Sequence, residues 1–290
     1  MEGPVRAMTA ALRILFDVAS YRLRRLEMAN LAAAVAVMLA LHTPWLDLVL
    51  RTAFGAGLNL LAYLTNDYCD VEQDFAEGRE LSKTRFLREH LGAALGAQLG
   101  LGALLAAAAL LYEPGLLLPL GLGAGVCWAY SAKLKALPAV DILSMVVWGI
   151  SMPLIAFPLG NKLGWLLALQ LGLFSACFES IQVLRDHDQD ARAGVRTSAV
   201  VFGPEATRRL VRICMLLAML YGVLVVDRYA GLALAVALLV PQPGAAEDTG
   251  AVSRYWNRIR LVQGLSWLAL LTGVFLRGTN HGWLSSGVGG

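Results

Sequence analysis

With 290 residues, 58% of them hydrophobic and 16% charged, and a mean hydropathy of +0.62, the chain is too apolar for a water-soluble domain of its length. Four cysteines without C-x-x-C spacing and four scattered histidines argue against a disulfide framework or a sequence-local zinc site, so a metal would have to rest on carboxylates. The formal charge of +3 is small, and where the charges fall says more than their sum.

From the N-terminus, Arg6, Arg13, Asp17, Arg22, Arg24 and Arg25 interleave with Met8, Leu12, Leu15, Phe16 and Ala19 at helical spacing. This pattern predicts an amphipathic interfacial helix over about 4–25, and no uninterrupted apolar stretch resembles a signal peptide. Apolar runs bounded by turn residues then predict spans near 27–42, 45–68, 90–112, 115–132, 138–158, 164–185, 206–226, 229–245 and 256–276. The eighth is the weakest, because its clean apolar stretch is short and "PQPG" follows. The expected fold is all-α: a polytopic membrane protein with about nine transmembrane helices in one bundle. No internal repeat or low-complexity segment divides it, so residues 1–290 read as a single domain. "GLGAGVCW" at 121–128 follows no strand and lies within a span, which makes it a helix-packing segment rather than a nucleotide loop.

On this nine-span reading, 20 of the 24 Lys and Arg residues fall on one side. The positive-inside rule makes that side cytoplasmic, with the N-terminus inside and the C-terminus outside.

Two acidic clusters close spans on that same side. Asn59, Tyr63, Asn66, Asp70 and Asp74 are spaced by four, three, four and four residues and share one helical face, with Asp67 beside it. An ionised Asp at the bilayer centre costs roughly 2.5–3.5 kcal/mol on insertion scales, so this face is expected to look into a wet cavity. The second cluster, "FESIQVLRDHDQDARAGVRT", aligns Glu179, Gln182, Asp186 and Asp190 in the same way. Carboxylate pairs from two helices supply the hard oxygen ligands that Mg²⁺ takes together with substrate phosphate. Arg79, Lys83 and Arg85 follow the first cluster, Arg192 and Arg196 the second, and Lys133 and Lys135 lie on the "YSAKLK" loop. Such an inventory suits diphosphate, and an apolar bundle beside it suits a hydrocarbon tail. Deeper in the cavity, Glu179 is expected to act as a general base, to contact an acceptor or to make an interhelical hydrogen bond.

The pairing of N-D-x-x-D-x-x-x-D at 66–74 with D-x-x-x-D at 186–190, supported by "DQDARAGVRT" and "YSAKLK", resembles the UbiA-type intramembrane prenyltransferases. The resemblance runs over nearly the whole chain, and the double motif is its specific part. It implies a nine-helix bundle around a central cavity open toward the cytoplasmic leaflet. It also implies two or more Mg²⁺ ions on Asp70, Asp74, Asp186 and Asp190, with Asp67 as a further candidate. Diphosphate would be held by Asn66, Arg79, Lys83, Tyr130, Lys133, Lys135 and Arg196, while Asn59, Tyr63, Glu179 and Gln182 would line the acceptor side of the cavity. Many members carry an Asn-Arg-Pro stretch after the first motif, where this chain reads "FAEGRELSKTRF", which leaves the acceptor open.

The expected activity is Mg²⁺-dependent ionisation of an isoprenyl diphosphate and transfer of the prenyl group to an aromatic or other lipophilic acceptor. The alternatives are a membrane terpene cyclase of the same superfamily, which needs no acceptor, and a divalent-cation transporter. The latter is disfavoured because no acidic ring appears in the outer loops. The expected partners are prenyl diphosphate, a lipophilic acceptor and the lipid bilayer, with no nucleic acid. The expected location is a prokaryotic cell membrane, with the active site on the cytoplasmic side.

Overall fold

A computed structural model describes residues 4–25, 27–76, 82–244, 249–285 and 287–289. The described chain is helical, with only two isolated β-bridges, both involving the C-terminal segment. In chain order the helices are α1 (Pro4–Arg24), α2 (Ala29–Ala40), α3 (Trp45–Ala76), α4 (Ser82–Glu89), α5 (Leu91–Tyr112) and α6 (Leu117–Ala132). They continue with α7 (Val140–Ser151), α8 (Lys162–Arg185), α9 (His187–Ala193), α10 (Ser198–Phe202), α11 (Pro204–Tyr221) and α12 (Thr249–Arg277).

Among the described residues six helical segments are long and apolar enough to cross a membrane: Trp45–Glu72, Leu91–Tyr112, Pro114–Ala132, Lys162–Arg185, Pro204–Val226 and Thr249–Arg277. The other three apolar segments, Ala29–Ala40, Val140–Ala156 and Ala230–Leu239, are shorter than the spans expected there. Two of the three have a local reason. Pro153 opens a separate 3₁₀ turn, Pro153–Ala156, at the end of α7, because its ring and missing N–H stop the α-helical ladder. The eighth segment is a 3₁₀ helix that follows a π-helical turn, Gly222–Val226. At about 2.0 Å per residue its ten residues reach about 20 Å, short of the roughly 30 Å hydrocarbon core.

That turn and the 3₁₀ helix cross backbone to backbone. A Cβ on Gly231 would lie 2.6 Å from the Gly222 carbonyl carbon and from the Val223 nitrogen, atoms that no rotamer change can move. Gly231→Ala is therefore expected to destabilise the fold by about 1–3 kcal/mol, read as a lowered unfolding temperature in detergent. An unchanged midpoint would mean that the two segments are not in contact.

The central helix is α8, which buries Leu167, Ala168, Leu171, Phe174, Cys177 and Ile181. Its start is fixed by Asn161, whose side-chain oxygen accepts from the Gly164 N–H at 2.8 Å. Helices α7, α11 and α12 pack around it. Gly149 of α7 allows a close approach to α8, since a Cβ there would lie 2.4 Å from that of Ser175. Leu99, Leu104, Leu111, Leu239, Leu261 and Leu276 point outward and exposed, as side chains facing lipid do.

Helix α1 has two apolar edges. Ile14 and Val18 are buried against Leu64, Val71, Leu87, Ala94 and Ala97 of α3, α4 and α5, while Met8, Leu12 and Phe16 stay exposed. The amphipathic helix expected over about 4–25 thus packs on the bundle along one edge and presents the other outward.

Candidate active site

At 32 residues, α3 is about 48 Å long, more than one hydrocarbon thickness. The excess lets the C-terminal part of α3, with Asn66, Asp67, Asp70 and Asp74, continue the apolar run as unbroken helix, so the acids keep their shared face. Asp70 Oδ2 lies 3.9 Å from Lys135 Nζ, and Ser131 Oγ donates to Asn66 Oδ1 at 3.3 Å. Both oxygens of the buried Asp67 are engaged, one by Arg22 of α1 and the other by Lys83 of α4 at 2.7 Å. Arg22 also donates to Glu27 at 2.7 Å and lies 4.4 Å above the Tyr63 ring. Burial works against the Arg22 charge, but Asp67 and Glu27 outweigh it and hold the guanidinium pKa above its ordinary value. Asp67 therefore docks the N-terminal helix onto the motif helix.

From α8, Glu179 is 5% exposed and accepts from Tyr130 Oη at 2.7 Å and from Gln182 Nε2 at 3.2 Å. Arg185 makes two parallel bonds of 2.8 Å to Asp186, the residue on which α8 ends and α9 begins. Asp190 is buried one turn on, and α9 closes at Gly194, whose φ of +72° is left-handed, with the Val195 N–H bonded to the Asp190 carbonyl. That closure turns the chain back toward the site.

The loop between α6 and α7 and the segment after α9 are tied by Asp141, which is fully buried. Its Oδ2 accepts from the Ser198 N–H at 2.6 Å and its Oδ1 from Ser198 Oγ and from the Ile142 N–H, while Ser198 Oγ accepts from the Ala139 N–H at 2.7 Å. This clasp sits between Lys135 on one side and Thr197 on the other.

All these elements open onto one cavity of about 860 Å³. Asn66, Asp67, Asp70, Asp74, Asp186 and Asp190 line it, together with Tyr63, Lys83, Tyr130, Lys135, Glu179 and Gln182. The remaining sequence candidates fall elsewhere: Lys133 and Arg196 are exposed and Asn59 is buried with both amide atoms unpartnered, none of them on the lining, and Arg79 lies outside the described residues.

A model of the UbiA prenyltransferase family matches residues 29–246. The chain belongs to that family. Among solved structures it is similar to a UbiA homologue from Archaeoglobus fulgidus bound to DMAPP and Mg²⁺, with a TM-score of 0.63 at 14% identity over 92% of this chain and 99% of that one. The same homologue bound to GPP and Mg²⁺ gives the same TM-score and identity over 91% of this chain and 99% of that one. A structure of digeranylgeranylglyceryl phosphate synthase in membranes gives a TM-score of 0.67 at 14% identity, over 92% and 99% of the two chains. At these identities the likeness is one of fold. No curated protein sequence matches the chain significantly.

The UbiA-type cavity here has walls that the sequence motifs did not mark. Tyr21, Arg22, Arg25, Glu27 and Asn30 close it from the N-terminal side, and Trp256, Asn257 and Arg260 from α12. For α1 the only signal in the sequence was amphipathicity, which does not say which side a helix will dock on. For α12 it was a group of arginines, Arg254, Arg258 and Arg260, at the mouth of an apolar run, where topology alone accounts for positive charge.

Among the described residues no three His, Cys, Asp or Glu side chains are already gathered tightly enough to hold a metal ion. The donor set nevertheless fits Mg²⁺. Its carboxylates come from two helices facing one cavity, and Mg²⁺ ordinarily takes one or two carboxylates, waters and substrate phosphate rather than an all-protein cage.

Proposed function

We propose that the protein is a Mg²⁺-dependent prenyltransferase, acting on an isoprenyl diphosphate and a lipophilic acceptor within the membrane. The observation that supports this best is the convergence of the α3 and α8–α9 acids on one cavity. Its volume, about 860 Å³, lies within the roughly 300–1,000 Å³ of small-molecule sites. In this reading Asp70 and Asp74 on one wall and Asp186 and Asp190 on the other hold the metal ions, and Asn66 supports the diphosphate. Bound Mg²⁺ supplies Lewis-acid stabilisation of the departing diphosphate. Lys135, and Lys83 once drawn from Asp67, add positive charge where the leaving group gathers negative charge.

Ala62, Cys127, Met145, Trp148 and Phe178 line the same cavity and offer the hydrocarbon tail an apolar berth that keeps water from the reacting carbon. The C1–O bond of the prenyl group breaks with its electron pair leaving on the diphosphate. The acceptor's electron pair then forms the new bond at C1, and the acceptor loses a proton. Glu179, oriented by Tyr130 and Gln182, is the carboxylate placed to receive it. The three shorter apolar segments complete a nine-element bundle in this reading, with the acids on the cytoplasmic side.

The test is turnover by the purified protein in detergent with Mg²⁺ and geranyl, farnesyl or geranylgeranyl diphosphate, with and without lipophilic acceptors. Diphosphate release and organic-phase products are followed by mass spectrometry. A prenylated acceptor is the expected product. A cyclic hydrocarbon or alcohol formed without acceptor would replace transfer by cyclisation, and no Mg²⁺-dependent release would remove the reading altogether.

A further inference from the structure

At the end of the bundle away from the acids, the chain beyond α12 folds back on itself. Arg277 follows the cavity residue Arg260 by about 26 Å of helix, at 1.5 Å per residue. Gly278, with a φ of +66°, then reverses the chain, and the segment after it returns along the π-helical turn Gly222–Val226. The end of a helix leaves its last four carbonyls without partners, and in lipid each carries a cost. The returning segment takes all four. Val223 O accepts from the Trp283 N–H at 3.3 Å, Leu224 O from the Leu284 N–H at 2.7 Å, Val225 O from Asn280 Nδ2 at 3.0 Å and Val226 O from the His281 N–H at 2.8 Å. The approach is so close that a Cβ on Gly282 would lie 2.3 Å from the Leu224 carbonyl oxygen.

This return places Trp283 beside Arg228 and Tyr229. The Arg228 guanidinium carbon lies 5.1 Å from the centroid of the Tyr229 ring and 5.5 Å from that of Trp283. Both aromatic residues and Leu284 are exposed. The Arg228 Nε is buried, whereas its two terminal nitrogens are accessible and meet no acceptor among the described residues. Asp227 next to it is occupied, by Arg277 on one oxygen and by the Tyr229 and Ala230 N–H groups on the other. Topology does not explain the charge either. Arg51, Lys162, Arg228 and Arg277 are the basic residues outside the large one-sided set. Glu113 pairs with Arg51 and Asp227 with Arg277, and Lys162 is exposed at the start of α8. Arg228 alone of the four stands half-buried between two rings without a carboxylate.

We propose that Arg228, framed by Tyr229 and Trp283, binds the phosphate of a phospholipid headgroup, and that the bound lipid holds the C-terminal segment 278–285 on the π-helical turn. Exposed Trp and Tyr side chains of a membrane protein sit at headgroup level, and the planar fork of a guanidinium there matches two phosphate oxygens. Arg228 and Tyr229 belong to the turn and Trp283 to the returning segment, so a phosphate seated among them joins the two. The proposal is independent of the chemistry in the cavity.

The experiment follows hydrogen exchange of the peptide covering 278–285 by mass spectrometry. The protein is placed in nanodiscs of phosphatidylglycerol, of phosphatidylcholine or of the phosphate-free digalactosyldiacylglycerol, with matched acyl chains. In both phospholipids exchange is expected to be roughly tenfold slower than in the galactolipid, because a ligand that binds only the closed segment suppresses its opening. Arg228→Gln is expected to erase that difference, and Arg228→Lys, which keeps the charge but not the fork, to restore part of it. Equal exchange in all three lipids would overturn the proposal, and that comparison on the unaltered protein needs no variant to fold. So would a phospholipid effect that persists in Arg228→Gln. Inorganic phosphate in maltoside detergent that slows exchange as much as the phospholipids do would make this a site for soluble anions and equally overturn the lipid assignment.

Discussion

Replacing Asp70 by Asn is expected to lower Mg²⁺-dependent release of diphosphate by about a thousandfold or more, and Asp186→Asn to do the same. Asn keeps the shape of the side chain and removes the charge that a divalent cation needs. The two positions test opposite walls of one cavity, since Asp70 comes from α3 and Asp186 from the junction of α8 and α9. Neither change should unfold the protein. Asp70 meets Lys135 only at 3.9 Å, and the pair of Asp186 with Arg185 joins neighbouring residues at the end of one helix rather than two separate elements. Turnover should therefore collapse while the unfolding temperature in detergent moves little. If both single variants keep more than about a tenth of the activity, the assignment of metal ligands is wrong.

The second large effect concerns a residue that touches no substrate in this reading. Asp141→Ala is expected to cost about 3 kcal/mol or more of stability and to depress turnover as well. The carboxylate is fully buried and accepts from two backbone N–H groups and the Ser198 hydroxyl. Alanine would leave the Ser198 N–H without its acceptor in a buried setting and would release the loop carrying Lys135 from the segment that follows Asp190. Asn at the same position keeps one acceptor oxygen and should fall between the two. The measurement is the unfolding midpoint of the three proteins in one detergent, paired with their Mg²⁺-dependent turnover. An Asp141→Ala protein as stable as the parent would show that the clasp does not hold these loops together.

Much of the site was legible because membrane helices make polar residues conspicuous. An acid in an apolar run carries a cost, so Asp70, Asp74, Asp186 and Asp190 stood out, and the 3.6-residue period alone put each set on one face. That the two faces meet in one cavity is a matter of how α3 and α8 are placed, and local periodicity holds no information about it. Basic residues were read less well. Lys and Arg accumulate on one side of a membrane protein for topology, so spacing did not distinguish Lys135, which faces the cavity, from Lys133 and Arg196, which are exposed. Asp67 looked like one more metal candidate, and its engagement by Arg22 and Lys83 depends on α1 and α4 arriving from distant or separate stretches of chain.

By itself the sequence determined that the chain is helical and membrane-embedded, where its apolar segments lie and which carboxylates share a helical face. Those properties follow from local composition and period, which act within one or two helical turns. Only the tertiary structure decided the close crossing of Gly222 and Gly231 and the clasp at Asp141. It alone also decided the partners of Asp67. These depend on contacts between residues far apart in the chain, where packing and the need to satisfy buried polar groups choose among arrangements that local preference leaves equal.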